Sequence, residues 1–226
     1  MDKVIAVFDL EGTLFKRSNA LMQEIRSIST KGIICKVRLA VLNLKMFFVY
    51  VFYKMHLLNE LTMRTLAFKA LVAFFKNSSE GYIIGRARVF ADNYQSLLRP
   101  EMQRIIKGHQ TKSHTTILFS GMMQPYLDAV KQNLQFDIAI GTKLQVKDGR
   151  YTGKIEKLPY FGERRAQALS EVIRKLDFKV DLNGSFAYGD SILDRYYMGL
   201  VGNPVAVFPD NNLARFAQEN GWIVIS

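Results

Sequence analysis

The chain has 226 residues, 31 Lys and Arg against 20 Asp and Glu, a formal net charge of +11, and 49% apolar residues. That length and apolar content build one sizeable domain, or a core with an inserted subdomain. The single Cys35 excludes an internal disulfide and fits a reducing, cytoplasmic location, with peripheral contact at the inner membrane face left open. The basic excess points to an anionic partner: phosphate groups, nucleic acid or an anionic membrane.

In chain order, Val4-Ile-Ala-Val-Phe-Asp-Leu-Glu-Gly-Thr-Leu14 opens with a β-branched apolar run, long enough for a buried strand and too short for a signal peptide or a helix. The strand is expected to end at Asp9, so Asp9 and Glu11 stand just past its tip, where the ligands of open α/β sheets collect. At this spacing Asp9 can attack a phosphorus as a carboxylate nucleophile. Glu11 can protonate the leaving oxygen and then activate water. An acidic strand-to-loop turn with no chemistry fits this segment equally well.

From residue 16 to residue 98 the pattern becomes helical and rich in Leu, Met, Phe and Ala. Helices are expected near 18–29, 34–53, 57–76 and 79–98, an all-helical insert (17–98) after the first strand that can close over a site as a cap. Residues 33–75 are both apolar and basic, with Lys36, Arg38, Lys45, Lys54, Arg64 and Lys69 against Glu60 alone. The uncharged run 46–53 is far shorter than the roughly 18 residues of a spanning helix. Two readings stay open for it. One is a surface for an anionic membrane or a lipid chain; the other is a cap core or dimer interface with a solvated basic face. The aromatic-basic signature of an RNA-binding fold is missing, so nucleic acid is not the expected partner.

Arg99-Pro-Glu starts a helix to about His109, and residues 115–120 form a second buried strand ending in Ser120-Gly121 before a helix at 125–132. Ser-Gly at such a place supplies a hydroxyl and backbone N–H groups to a phosphate, and is also an ordinary turn. His109 and His114 lack metal-ligand spacing and read as surface or capping residues. A strand at 136–141 and a hairpin, 144–146 with 151–155, turned by Asp148-Gly149, come next. Arg164 and Arg165 then open a helix to about 176, where they either meet a phosphate or form a solvated face. Gly189-Asp190-Ser-Ile-Leu-Asp194 places Asp190 at another strand tip and Asp194 one turn later on the same side. Asp9, Asp190, a carbonyl and waters make an octahedral Mg²⁺ site. Two short strands, 204–210 and 222–225, flank a helix at 211–218, completing a doubly wound, mostly parallel α/β sheet.

In this order Asp-x-Glu-Gly-Thr, Ser-Gly, a cation and Gly-Asp-Ser-x-x-Asp resemble the haloacid dehalogenase superfamily, most of all its phosphoserine-phosphatase-like branch. That branch has a Rossmann-like core, here residues 1–16 and 99–226, with a helical cap inserted after the first strand. The resemblance implies Asp9 as nucleophile through an aspartyl-phosphate and Glu11 as general acid/base. It implies Mg²⁺ held by Asp9, the Glu11 carbonyl and Asp190, with Asp194 in support. Ser120 and Gly121 would bind the phosphoryl group. Two positions depart from the family. Glu11 replaces the usual Asp, and Arg165 stands where the family has Lys, with Arg164 and Lys157 as alternatives; Arg offers a planar fork instead of a compact ammonium. The expected function is a Mg²⁺-dependent phosphomonoesterase acting on a small-molecule ester, with an apolar chain or a membrane-bound substrate as an extension. The alternatives are a silent module that docks on a membrane or protein through its cap, and a phosphotransferase to an alcohol.

Overall fold

The computed structural model describes residues 2–16, 20–29, 32–157 and 161–226. The start of the predicted first helix (18 and 19) and the lead-in residues Pro159 and Tyr160 lie outside that set. Six strands form one sheet in the order β3-β2-β1-β6-β7-β8, from β1 (Ile5–Phe8), β2 (Thr115–Met123), β3 (Ile138–Thr142), β6 (Phe186–Gly189), β7 (Asn203–Val207) and β8 (Ile223–Ile225). The β1–β2, β1–β6, β6–β7 and β7–β8 pairings are parallel. Helices α5 (Pro100–Thr111), α6 (Gln124–Leu134), α7 (Glu163–Ile173), the short α8 (Arg195–Met198) and α9 (Asn211–Glu219) connect and cover these strands.

β1 is central, and its four residues are fully buried. Alternation sends Ile5 and Val7 into one apolar layer with Ile117, Phe119, Leu169 and Tyr197. Phe8 faces the other layer, stacked on Tyr188 at 4.5 Å between ring centroids and edge-on to Phe136 and His109. Burial on both faces explains why β1 reads as a continuous apolar run.

Residues 19–86 and 142–159 form a compact unit separate from Met1–Ser18, Ala87–Gly141 and Tyr160–Ser226, with the boundary falling inside α4 (Glu80–Gln95). The helical unit contains α1 (Ala20–Ser29), α2 (Ile33–Lys54) and α3 (Glu60–Phe74). It also takes in the hairpin β4 (Leu144–Lys147) and β5 (Arg150–Ile155), whose turn has the positive φ of Asp148 and Gly149 expected of Asp-Gly. The hairpin is tied to the α3–α4 connection through Asn77 N–H to Tyr151 O, Tyr151 N–H to Ser78 O and Glu80 N–H to Gly149 O. Buried Glu24 takes a two-pronged ion pair from Arg86 at 2.7 and 2.8 Å.

The histidines correct the sequence reading. His109 is 7% exposed and is neither a surface nor a capping residue. Its Nε2 bonds the Tyr188 hydroxyl at 2.8 Å, and its Nδ1 lies 2.8 Å from Nδ1 of His114. It sits on the buried α5 face with Met102 and Ile106, a helical spacing that the polarity of histidine hid. Burial, then His114 and Lys112, push its pKa from 6.5 to about 4. The folded state therefore keeps His109 neutral where the unfolded chain protonates. Its contribution is complete above pH 6.5 and is lost as pH falls toward 4. Between pH 7 and pH 5 His109 should account for a loss of about 1–2 kcal/mol of stability, read from urea titrations of wild type beside His109→Asn. His109→Asn should lose most of that dependence, and an unchanged slope in the variant would contradict this assignment.

Candidate active site

Phe8 pairs with Leu118 on one side and Tyr188 on the other, so the three chains leave the sheet together. The next residues bring Asp9 and Asp190 to adjoining strand ends, with Ser120 two positions after Leu118 on β2. After β1 the chain closes at once: Leu10 O accepts from Leu14 N–H and Phe15 N–H, and Gly12 N–H donates to Phe15 O at 2.7 Å. Gly12 has φ +92°, and a Cβ there would lie 2.1 Å from Asp190 Oδ2, so turn geometry and space both require glycine. Half-buried Glu11 sits on this turn.

Asp9, Asp190 and Asp194 are buried and each offers an oxygen within 4.8 Å of the others. Asp194 is reached through a 3₁₀ turn, Ile192–Asp194, and its side chain folds back. Its Oδ2 accepts from Asp190 N–H at 3.2 Å and Ser191 N–H at 3.0 Å, which fixes the strand-to-turn corner. Thr13, fully buried, donates to Asp190 Oδ1 at 3.4 Å, and the Asp190 carbonyl accepts from Asp210 N–H at 2.8 Å.

Arg165 holds the cluster together. Its Nη2 donates to Asp9 Oδ1 at 2.9 Å and to the Phe119 carbonyl, while Nη1 donates to Asp194 Oδ1. The guanidinium packs over the Tyr197 and Phe119 rings, 4.4 and 4.8 Å from their centroids. Burial works against its charge, but Asp194 and Asp9 outweigh that and hold its proton more firmly than usual. Asp9 is the opposite case. Burial raises its pKa, Arg165 pulls it down, and Asp194 and Asp190 push it up again, leaving it well above the ordinary carboxylate range.

Of the two arginines at the start of α7, the geometry brings Arg165 to the carboxylates; Arg164 is half-buried beside it. Lys157 is exposed and belongs to the helical unit. Ser120 is buried and its Oγ accepts from Met122 N–H at 3.3 Å. Strand β2 does not stop at Ser120, as the sequence suggested, but runs to Met123, because Met122 and Met123 continue the buried face. A Cβ on Gly121 would meet the Phe161 ring at 2.5 Å, so this position is closely covered.

Sequence reasoning missed Thr13, Ser191, Tyr197 and the Phe119 carbonyl. Tyr197 carried a usable signal, lying one turn after Asp194, and its hydroxyl donates to Tyr188 O at 2.6 Å. Arg99 was noted only as a helix start; its Nη2 donates to Gly12 O at 3.3 Å and its guanidinium lies 3.8 Å from the Phe208 centroid.

Residues 6–198 match the model of the haloacid dehalogenase-like hydrolases. The chain belongs to this family. A probable phosphatase of Mycobacterium tuberculosis is 30% identical over 130 residues, covering 58% of this chain and 44% of that one. The chain spans about half the length of the curated relatives it matches. Among solved structures, a Bordetella pertussis Tohama I protein of unknown function superposes with a TM-score of 0.82 at 20% identity, covering 100% and 99% of the two chains. A phospho-aspartyl intermediate analogue of phosphoserine phosphatase superposes at 0.63 and 18% identity, covering 100% and 94%. At these identities the structural likeness establishes the fold alone, and any chemistry rests on the side chains.

Proposed function

We propose that this hydrolase is a Mg²⁺-dependent phosphomonoesterase that forms an aspartyl-phosphate on Asp9. The observation that carries the reading is three buried carboxylates, two at adjoining strand ends and one on the turn that follows, with one arginine bridging two of them. Phosphatases among its relatives, and a structural neighbour solved as a phospho-aspartyl analogue, support it.

The donor set fits a hard divalent cation. Three carboxylates against one guanidinium leave a negative excess, and their oxygens are hard ligands gathered in one place. Asp9, Asp190 and the Glu11 carbonyl would hold the ion, with Asp194 in support. When bound it supplies neutralising charge to the phosphoryl oxygens.

Arg165 engages Oδ1 of Asp9, which leaves Oδ2 to attack phosphorus. As the Asp9–phosphorus bond forms and the ester bond breaks, Glu11 gives its proton to the leaving alkoxide. Glu11 then takes a proton from water, whose oxygen displaces Asp9 and releases phosphate. The Ser120 hydroxyl and Gly121 N–H would donate to the phosphoryl oxygens throughout, in-line positioning and charge complementarity being most of what phosphoryl transfer needs. Asp194 fixes Arg165 and the Asp190–Ser191 backbone. Residues 17–98 would serve as the cap that selects the substrate.

A finer reading concerns the rest of the substrate. The helical unit contains a cavity of about 420 Å³ whose lining includes Val72 and Ile155 as apolar walls, Lys69, Lys154 and Lys157 as cations and Glu156 as an anion. That combination suits an anionic molecule with an apolar portion, and lysophosphatidate against phosphoserine is the contrast that tests it. The decisive experiment is phosphate release from soluble and lipid monoesters before and after chelation. Release should stop with EDTA and return with Mg²⁺, and less well with Ca²⁺, whose larger and looser shell suits this site less. Silence on every ester, with no binding of a metallofluoride phosphate mimic, would favour the silent docking module. Phosphate appearing on an added alcohol would instead identify a transferase.

A further inference from the structure

Helix α2 buries one residue, Leu42, of its 22. Ile34, Val37, Val41, Leu44, Phe48 and Phe52 recur at intervals of three and four and are 44–67% exposed. On a helix of 3.6 residues per turn they fall within an arc of about 80°. Half-buried Cys35, Met46 and Tyr53, with Leu42, lie on the far side. The helix therefore has two apolar faces, and the wider-exposed one is unpartnered among the described residues.

Charge decides what fits there. Arg38 and Lys45 border the exposed stripe on one side, and Lys36 and Lys54 border it on the other. The sequence has no Asp or Glu between Glu24 and Glu60. No helix among the described residues is long and apolar enough to cross a membrane. An apolar stripe edged by cations on both sides matches a surface that is apolar in its interior and anionic at its face. The basic side chains can keep their stems on the apolar layer while their charges stay at the headgroups. A second copy of the helix would instead set basic flank against basic flank, which opposes self-pairing.

We propose that α2 is an in-plane docking helix for an anionic lipid bilayer, its Ile34–Phe52 stripe entering the acyl boundary. This surface stands independently of the phosphatase reading, because sedimentation reads it without any turnover.

The test is co-sedimentation of the full chain with phosphatidylcholine vesicles and with equimolar phosphatidylcholine–phosphatidylglycerol vesicles. Binding should require phosphatidylglycerol and weaken as salt is raised. Val41→Ser/Leu44→Ser/Phe48→Ser alters exposed residues only, so its thermal melt should match wild type while its vesicle binding is lost. Lys36→Glu/Lys45→Glu/Lys54→Glu should lower affinity for the anionic vesicles at least about tenfold. Sedimentation velocity of both variants completes the set. Failure of wild type to bind, equal binding to both vesicle types, or a wild-type dimer that the serine variant dissolves without any vesicle binding would each overturn the proposal; the last would assign the face to a second copy.

Discussion

Replacing Asp9 by Asn is expected to lower phosphate release by at least about 10³-fold while leaving the chelated protein as stable as wild type or more so. The catalytic loss follows from removing the only nucleophile in the proposed scheme, since an amide oxygen forms no stable acyl phosphate. The stability effect follows from the site's electrostatics. Burial and the charges of Asp194 and Asp190 hold the Asp9 pKa well above its ordinary value, although Arg165 opposes them. A carboxyl with a raised folded pKa contributes fully below its unfolded pKa, and that contribution is lost as pH rises through the folded value. At neutral pH the Asp9 charge therefore works against folding. Asn keeps the shape and an acceptor for Arg165 Nη2, and removes the charge. Thermal melts in EDTA should show no decrease, whereas the rise in melting temperature produced by Mg²⁺ should be smaller in the variant, because a ligand of the ion is gone. Retention of more than a tenth of wild-type turnover would remove Asp9 as the nucleophile. A large loss of stability in EDTA would show that the Asp9–Arg165 pair is a net stabiliser.

The fold was legible where burial leaves a periodic trace. Ile5–Phe8 has apolar side chains on both faces of a central strand, and the Asp148-Gly149 turn has a chemistry that admits few alternatives. Legibility failed where tertiary packing overrode local type. β2 continued past Ser120-Gly121 because Met122 and Met123 are buried, a fact set by what packs on them. His109 shares a face with Met102 and Ile106, but its place is fixed by Tyr188 and His114, which no spacing rule connects to it. The hairpin was recognisable as a hairpin; that it joins the unit formed with residues 19–86 was not, because that depends on backbone bonds from Asn77 and Glu80, more than 60 positions away.

The candidate site was more legible than its scaffolding. Asp9 and Asp190 stand at strand ends, which can be read from apolar runs, and Asp194 follows Asp190 at a spacing of four. Arg165 could be separated from Arg164 by phase: Arg165 lies three and four residues before the buried Ala168 and Leu169, on the inward stripe of α7. The partners that hold these groups are different. Thr13, Tyr197 and the Phe119 carbonyl act through contacts between segments far apart in the chain, and a hydroxyl or carbonyl carries no pattern of its own.

Arg165→Met should destabilise the fold by about 3–5 kcal/mol, the cost expected when one partner of a buried ionic network is removed. Among the described residues the guanidinium is the one cation that bridges Asp9 and Asp194, and it also satisfies the Phe119 carbonyl. Methionine fills the apolar volume between the Tyr197 and Phe119 rings, so the loss reports charge and hydrogen bonds more than a cavity. Asp9, already pushed upward by burial, Asp194 and Asp190, then loses the one charge that pulls it down and relieves the strain by taking up a proton. The folded pKa of Asp9 rises further, so the variant's deficit should be largest at neutral pH and shrink as pH is lowered toward 5. His109 titrates in both proteins over that range, so the informative quantity is the difference between them at each pH. Arg165→Lys keeps a charge but not the fork or the ring stacking. It should lose about half as much stability and retain measurable turnover, about 10–100-fold below wild type, a range set by small misplacement of Asp9. Urea titrations of the three proteins at pH 7 and pH 5 decide the matter. A methionine variant as stable as wild type at pH 7, or a deficit that grows on acidification, would mean that Arg165 is not what offsets the buried charge of Asp9.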